Sequence, residues 1–157
     1  MTREEKDHFM AAALAEARKA FESGEVPVGA CVVKDGEILS TGRNRREETH
    51  DPLAHAEIEA LRAAAARLGG WNLSGCTLFV TLEPCPMCTG ALLQARVSRV
   101  IFGAFDGAAG CCGTLYDLPE DPRLMTRAEV EGGILREECA ALLKDFFRSR
   151  RESRPVY

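Results

Sequence analysis

A chain of 157 residues with 46% hydrophobic and 28% charged residues has the composition of a globular domain, which excludes low-complexity, collagen-like and disordered proteins. No apolar run reaches the roughly 20 residues that a membrane-spanning helix needs, so we expect no membrane association. The formal net charge of −4 gives no overall attraction to nucleic acid, and any such contact must use a local basic patch.

The first predicted element is a helix that begins after Thr2. Thr2 and Glu5 have the spacing of a capping box, and Gly24 is a suitable stop. Apolar residues recur between them at helical intervals, which predicts one buried face. The buried set is Met10, Ala13, Leu14, Ala17, Ala20 and Phe21.

A β-hairpin is predicted next. Residues 28–33 form an apolar, β-branched run, Asp35-Gly36 is a hairpin turn signal, and residues 37–41 read as the returning strand. The polar segment 44–52 is predicted to be a loop.

Helices and strands alternate through the rest of the chain. The predicted elements are a helix from after Pro52 to Gly69-Gly70, a strand at 76–82, a helix at 84–97, a strand at 99–104, a loop at 105–123, a short strand near 128–131 and a helix from 134 to about 151. This alternation predicts one layered α/β domain over residues 1–157.

The seven cysteines do not suggest a disulfide framework, because their number is odd and the charged N-terminus lacks the apolar segment of a signal peptide. We therefore expect a cytoplasmic protein. Cys31, Cys76 and Cys139 fall on core positions and are interpreted as small buried hydrophobic residues. Cys111 and Cys112 lie in the long loop, where a redox role stays open, although we favour an incidental one.

Four residues carry the strongest functional signal: His55, Glu57, Cys85 and Cys88. With Pro84 they form the pattern H-x-E…P-C-x-x-C, which resembles the signature of zinc-dependent nucleobase deaminases. A lone C-x-x-C could be a redox dithiol or half of a structural zinc site. Neither of those uses the His55–Glu57 pair, and three protein ligands leave a fourth zinc position open, as catalytic sites require.

Local geometry favours the two cysteines as ligands. Cys85 and Cys88 are neighbours on one helical face at a helix start, where the helix dipole favours thiolates. His55 and Glu57 do not share a face of a regular helix. Both can look into one cleft only if they lie in or before the first helical turn.

Beyond the metal motif, the chain resembles the bacterial tRNA-specific adenosine deaminases along nearly its whole length. The matching segments are E-V-P-V-G-A (25–30), Asn44, H-D-P-L-A-H-A-E (50–57), T-L-E-P-C-P-M-C (81–88), R-V-I-F-G-A-F-D (99–106), G-I-L (133–135) and E-C-A-A-L-L-K-D-F-F-R (138–148). The resemblance implies a three-layer α/β/α cytidine-deaminase-like fold with a central mixed sheet of about five strands and helices on both faces. It also implies a homodimer that converts adenosine to inosine at the wobble position of a tRNA anticodon stem-loop.

The family's site residues carry over by position. The resemblance implies one Zn²⁺ per subunit, with His55, Cys85 and Cys88 as ligands. It implies that Glu57 shuttles protons while a zinc-activated hydroxide attacks the ring carbon that bears the amine.

Three further residues match positions that contact the substrate in the family. Asn44 would bind the base through its amide, although a turn residue is the other reading. The backbone N–H of Ala56 would face the base. Asp106 is a hypothetical acceptor for a ribose 2′-OH, the group that distinguishes RNA from DNA.

Two departures and two basic stretches complete the pattern. Phe105 stands where some members carry a basic residue, so it either stacks on a base or packs. Residues 110–113, G-C-C-G, form an unusual loop variant. Phosphate contacts could come from Arg43, Arg45 and Arg46, or from the basic tail at about 148–157 with Arg148, Arg150, Arg151 and Arg154, for which a solvated helix end is the alternative.

Two rival functions share parts of this pattern. A deaminase of a free base or nucleoside, such as guanine or cytosine, would have the same metal motif and mechanism. A zinc-stabilised RNA-binding protein would need no catalysis, but the intact Glu57 and the open zinc position argue against it.

Overall fold

A computed structural model describes residues 1–153, with the side chains of residues 1–151; Arg154 of the predicted basic tail lies outside the described residues. The helices are α1 (Arg3–Glu22), α2 (Arg46–Thr49), α3 (Ala56–Leu68), α4 (Pro86–Gln94) and α5 (Arg136–Ser153). The strands are β1 (Gly29–Lys34), β2 (Glu37–Arg43), β3 (Thr77–Leu82), β4 (Arg99–Ala104) and β5 (Glu129–Gly132). None of the described helices is long and apolar enough to cross a membrane.

The strands form one mixed sheet in the order β2-β1-β3-β4-β5. β1 is antiparallel to both β2 and β3, whereas β3, β4 and β5 run parallel. The start of β1 therefore lies at the same edge of the sheet as the ends of β2, β3 and β4. The predicted five-stranded mixed sheet is confirmed, and this edge collects four chain segments at one place.

Helices cover both faces of the sheet, as the three-layer prediction requires. On one face, Ala30, Val32 and Val80 pack in a core with residues of α3 and α4. On the other face, Cys31 and Phe79 pack with residues of α1 and α5. The period-two alternation along β1 thus sends successive side chains into different cores. The expected burial of Cys31, Cys76 and Cys139 is also confirmed.

Two helices pack closely on the sheet at positions where the strands carry glycine. A Cβ at Gly29 would collide with backbone of α1, and a Cβ at Gly42 would collide with the carbonyl oxygen of Ala56. Without these side chains the helices lie directly on the strands. The contact at Gly42 is the one that brings the start of α3 to the edge of the sheet.

Two segments predicted as loops contain short helices, so those predictions were wrong in detail. The loop at 44–52 contains α2, because the amides of Glu47 and Glu48 donate to the distant carboxylate of Glu25. The loop at 105–123 contains a short 3-10 helix, Leu118–Glu120, whose Pro119 is buried. Both helices depend on tertiary partners that local sequence does not reveal.

One helix is shorter than predicted. The segment 84–97 becomes α4 over Pro86–Gln94. Arg96 adopts a left-handed backbone conformation with φ 64°, which ends the helix before Val97. Pro86 occupies the first turn of α4, where its missing N–H costs nothing.

Candidate active site

A cavity of about 220 Å³ opens at the edge of the sheet where β2, β3 and β4 end and β1 begins. It brings together six of the seven site residues predicted from the sequence, and the seventh, Cys88, lies beside it. The lining residues are Val26, Val28, Asn44, Arg46, His55, Ala56, Glu57, Leu82, Glu83, Cys85, Asp106 and Ala109.

The donor atoms of His55, Cys85 and Cys88 converge at the floor of this cavity, all within 4.8 Å of one another. His55 Nδ1 lies 3.7 Å from Cys85 Sγ and 3.5 Å from Cys88 Sγ. Zinc–sulfur bonds of about 2.3 Å and zinc–nitrogen bonds of about 2.1 Å, at a tetrahedral angle, separate the donors by about 3.6 Å. The three side chains therefore fit a zinc ion in both chemistry and spacing.

The start of α3 explains how His55 and Glu57 share one cavity. His55 is the N-cap residue, with extended backbone angles of φ −75° and ψ 156°, so it is not yet part of the helix. Glu57 follows in the first turn. Two positions in a regular helix that are two apart point to different faces, but His55 lies before the helix and Glu57 within it. Both residues therefore lie in or before the first turn, as a shared cavity requires.

The two cysteines occupy the start of α4. Cys85 is the N-cap residue, and Cys88 follows in the first turn and is buried. Hydrogen bonds from the Cys88 thiol and from His55 lower the pKa of Cys85 to about 4, although burial opposes this. The hydrogen bond to Cys85, together with burial, raises the pKa of the Cys88 thiol.

Glu57 is a buried carboxyl, only 4% exposed, on the wall of the cavity. Burial raises its pKa above the ordinary value for glutamate. A raised pKa suits a group that must accept and then release a proton near neutral pH.

Asn44 and Ala56 also line the cavity. The side chain of Asn44 makes turn contacts: Oδ1 accepts from the amide of Arg46 at 3.1 Å, and Nδ2 donates to the carbonyl oxygen of Val26 at 3.3 Å. An amide has two donor hydrogens and two acceptor lone pairs, so one of each stays available to a ligand. Ala56 is the first residue of α3, where the N–H has no acceptor within the helix.

Asp106 also lines the cavity, directly after β4, which is separated by β1 and β3 from β2, the strand that Asn44 follows. Its Oδ1 accepts from the amides of Ala108 and Ala109 at 2.9 and 3.2 Å, so the carboxylate organises the following turn. Among the described residues, Oδ2 has no hydrogen-bond partner.

The structure shows the surroundings of Phe105, Cys111 and Cys112, whose roles the sequence left open. The ring of Phe105 meets Phe102 edge-on, and the guanidinium of Arg136 lies 4.9 Å from its centroid, but 46% of the residue is exposed, so both predicted roles stay open. Cys111 and Cys112 are buried, free thiols.

The basic residues of the two predicted patches differ in their surroundings. Nε of Arg43 is buried and has no hydrogen-bond partner among the described residues. Arg45 pairs with Glu48 and Arg148 with Asp145, while Arg150 contacts Gly24 and the ring of Phe146. Arg46 lines the cavity.

Sequence reasoning missed two buried carboxylates next to the cavity, Glu25 and Glu83. Both occur inside the segments quoted for the family resemblance, and both precede an apolar or proline residue instead of a charged partner. The available signal for Glu83 was its place directly after the apolar pattern of β3. The hydrogen-bond partners of both carboxylates, however, lie more than 20 positions away in the chain.

Sequence comparisons with known proteins lead to the same class of zinc site. The cytidine and deoxycytidylate deaminase zinc-binding region matches residues 3–104. A tRNA-specific adenosine deaminase of Bacillus subtilis is 49% identical over 146 residues, which cover 93% of this chain and 91% of the relative. One from Aquifex aeolicus is 46% identical over 148 residues, covering 94% and 97%.

Two solved structures are similar to this chain to different degrees. A structure from a study of A-to-I editing by tRNA:A34 deaminases at the wobble position is 41% identical, with a TM-score of 0.84, and the match covers 87% of this chain and 99% of that one. A guanine deaminase from Nitrosomonas europaea is 28% identical, with a TM-score of 0.75, covering 89% and 83%. The chain therefore belongs to the cytidine and deoxycytidylate deaminase family of zinc-binding proteins, in the group of the tRNA-specific adenosine deaminases.

Proposed function

We propose that this protein hydrolyses adenosine to inosine at the wobble position of a tRNA anticodon and releases ammonia. The observation that carries the proposal is the convergence of His55, Cys85 and Cys88 beside the buried carboxyl of Glu57 in one cavity. The relatives that share nearly the whole chain are tRNA-specific adenosine deaminases, which supports the RNA substrate.

Zinc, held by His55, Cys85 and Cys88, would supply the Lewis acidity that activates water at neutral pH. Glu57 is the proton carrier of this chain. Its carboxylate would take a proton from the attacking water and deliver it to the ring nitrogen beside the reacting carbon. A second transfer through the same carboxyl would move the remaining proton of the added hydroxyl to the departing amine, so that the carbon–nitrogen bond breaks, ammonia leaves and the ring carbon keeps the oxygen as a carbonyl.

The remaining cavity residues would orient the base. The free donor and acceptor of the Asn44 amide suit the edge of an adenine. The N–H of Ala56 would donate to the bound nucleoside. The unpartnered Oδ2 of Asp106, across the cavity, would accept from the ribose 2′-OH.

A free-base deaminase is the second candidate, because the fold similarity includes a guanine deaminase. The lower identity and TM-score of that match favour the tRNA reading. A free base would also leave Arg46, at the cavity, without a phosphate to bind.

The deciding experiment is an inosine assay on zinc-loaded protein. The substrate is an anticodon stem-loop RNA with adenosine at the wobble position, and the same RNA with adenosine at another loop position is the control. Inosine at the wobble position alone supports the proposal. If no inosine forms and guanine or cytosine releases ammonia, the free-base reading replaces it. A metallated sample that deaminates none of these substrates favours the binding-protein reading.

We also propose that the protein is a homodimer. An apolar groove between α3 and α4 supports this, since Trp71 beside it is 63% exposed. Trp71→Glu should shift the sedimentation coefficient toward that of a monomer, whereas Met125→Glu, at a fully exposed position elsewhere, should not. A monomeric parent protein would contradict the proposal.

Two further expectations stay predictions: the cytoplasmic location, and the single domain over residues 1–157.

A further inference from the structure

The rims of the cavity on its two sides are loops, and each is fastened by one buried glutamate. We propose that Glu25 and Glu83 are positioning residues for the substrate, one for each rim. This inference rests on the proposed function for its substrate, but the structural part stands without it. Neither carboxylate serves as a metal donor or as the proton carrier.

Glu83 follows β3 and is only 2% exposed. Its Oε1 accepts from the amide of Asp106 at 3.1 Å and from the hydroxyl of Thr114. Its Oε2 accepts from the amides of Cys112 and Thr114 at 3.1 and 3.0 Å. Within the described residues it has no Lys or Arg partner, so four hydrogen bonds from one loop satisfy the buried carboxylate.

These hydrogen bonds hold the loop of residues 105–114, which is the second rim of the cavity. Residues 105–114 run outside the sheet, and their ladder contact is limited to the isolated bridge between Cys112 and Asp117. Gly110 packs against the carboxyl group, where an added Cβ would stand 2.5 Å from Cδ of Glu83. The cavity residues Asp106 and Ala109 therefore depend for their positions on Glu83, together with the hydrogen bond from the amide of Cys111 to the carbonyl oxygen of Pro84 at 2.9 Å.

Glu25 holds the first rim of the cavity, which is formed by Asn44 and the short helix α2. It is 1% exposed, and its two oxygens accept from the amides of Glu47 and Glu48 at 3.0 and 2.7 Å. The N-cap residue of α2, Arg45, makes no capping bond with its own side chain. Glu25 thus supplies the missing cap from 22 positions away and fixes the short helix that carries Arg46 into the cavity.

The hydrogen bond from Asn44 to Val26 ties this rim to the same segment of chain. Asn44 and Arg46 on one side, with Asp106 and Ala109 on the other, are thus held at a set separation. A glutamine at either position would turn an NH₂ group toward N–H donors, because its amide has a single acceptor oxygen. The isosteric change should therefore release the rim while it preserves side-chain volume.

The test compares Glu83→Gln and Glu25→Gln with Glu37→Gln, which changes an exposed glutamate of the hairpin. Zinc content, hydrogen exchange and steady-state kinetics on the anticodon stem-loop are measured for each. We expect full zinc content in all three. In Glu83→Gln, exchange should accelerate at the amides of residues 106, 112 and 114 but not at those of 47 and 48, and Glu25→Gln should show the reverse.

The kinetic expectation is a rise in KM of about tenfold or more in both rim variants, with a smaller change in kcat, because rim placement acts on substrate binding. Glu37→Gln should match the parent. Accelerated exchange over the whole chain would reduce the two residues to general stabilisers, and a local release without any change in KM would also overturn the proposal. If the parent is inactive on the RNA, a rim-specific exchange pattern still supports the positioning roles of Glu25 and Glu83, and only the proposed function fails.

Discussion

Nδ1 of His55 lies 3.5 Å from Sγ of Cys88, although the two residues stand 33 positions apart in the chain. His55 is the N-cap residue of α3 and Cys88 lies in the first turn of α4, and both helices rest on the same face of the sheet. The separation is that of two donors on one tetrahedral zinc ion, about 3.6 Å. Packing of the two helix starts, rather than any local motif, therefore assembles the metal site.

Replacing one metal ligand should remove zinc. In Cys88→Ser the hydroxyl is a harder donor that does not lose its proton at neutral pH, so the site keeps only two good ligands. Metal analysis after dialysis should show well under one zinc per chain. Cys139→Ala, a buried cysteine outside the site, is the matched control and should keep its zinc. A full zinc content in Cys88→Ser would remove Cys88 from the ligand set.

Replacing the proton carrier should separate metal binding from turnover. Glu57→Ala is expected to keep zinc but to lose turnover by roughly a hundredfold to ten-thousandfold, the range typical of a positioned acid–base group. Zinc content and inosine formation are measured on the same sample. Either retained activity or loss of zinc would overturn the role given to Glu57.

Asp106→Asn tests recognition of the ribose. Asparagine keeps the Oδ1 acceptor that binds the amides of Ala108 and Ala109, so the turn should survive. The second oxygen, which is free to accept from a 2′-OH, is replaced by a donor. We expect the preference for an RNA stem-loop over its DNA counterpart to fall. An unchanged RNA-to-DNA ratio of kcat/KM would rule out this contact.

Arg46 should account for part of the salt dependence of RNA binding. It lines the cavity and has no ion-pair partner among the described residues, whereas Arg148 is paired with Asp145 at 2.8 Å. In a plot of log affinity against log salt, Arg46→Gln should reduce the slope by about one. Arg148→Gln should reduce it less, since its charge is already partly compensated. Equal effects of the two changes would contradict the distinction.

Cys31 should make the folded state less stable in alkali. Burial, with a further contribution from Glu16, raises its pKa from 9.0 to about 12. Between these values the unfolded chain has lost the thiol proton and the folded chain has kept it, so stability present below pH 9 falls as pH rises toward 12. In Cys31→Ala this fall should be shallower by up to about 1.4 kcal/mol per pH unit.

The measurement is the free energy of unfolding in urea at several pH values between 9 and 11. Val33→Ala, which truncates a buried neighbour on the same strand, is the control for cavity formation. If its pH slope changes as much as that of Cys31→Ala, the effect does not come from the thiol.

Local sequence was sufficient where the interacting residues are close in the chain. The capping box of Thr2 and Glu5 is present, and the Asp35-Gly36 turn joins β1 to β2 as predicted. The buried alternation of β1 also follows from side-chain periodicity alone. The order of elements could be read for the same reason, because each signal spans only a few residues.

The sequence by itself determined the donor set, His55, Cys85 and Cys88, and the adjacent carboxyl of Glu57, because their chemistry and spacing belong to one pattern. Only the tertiary structure decided which side-chain atoms of Asn44 and Asp106 already make hydrogen bonds and which loops Glu25 and Glu83 hold. It also placed the ring of Phe105 against Arg136 and Phe102. These contacts join residues that are distant in the chain, so they exist only after the sheet and its helices have brought the loops together.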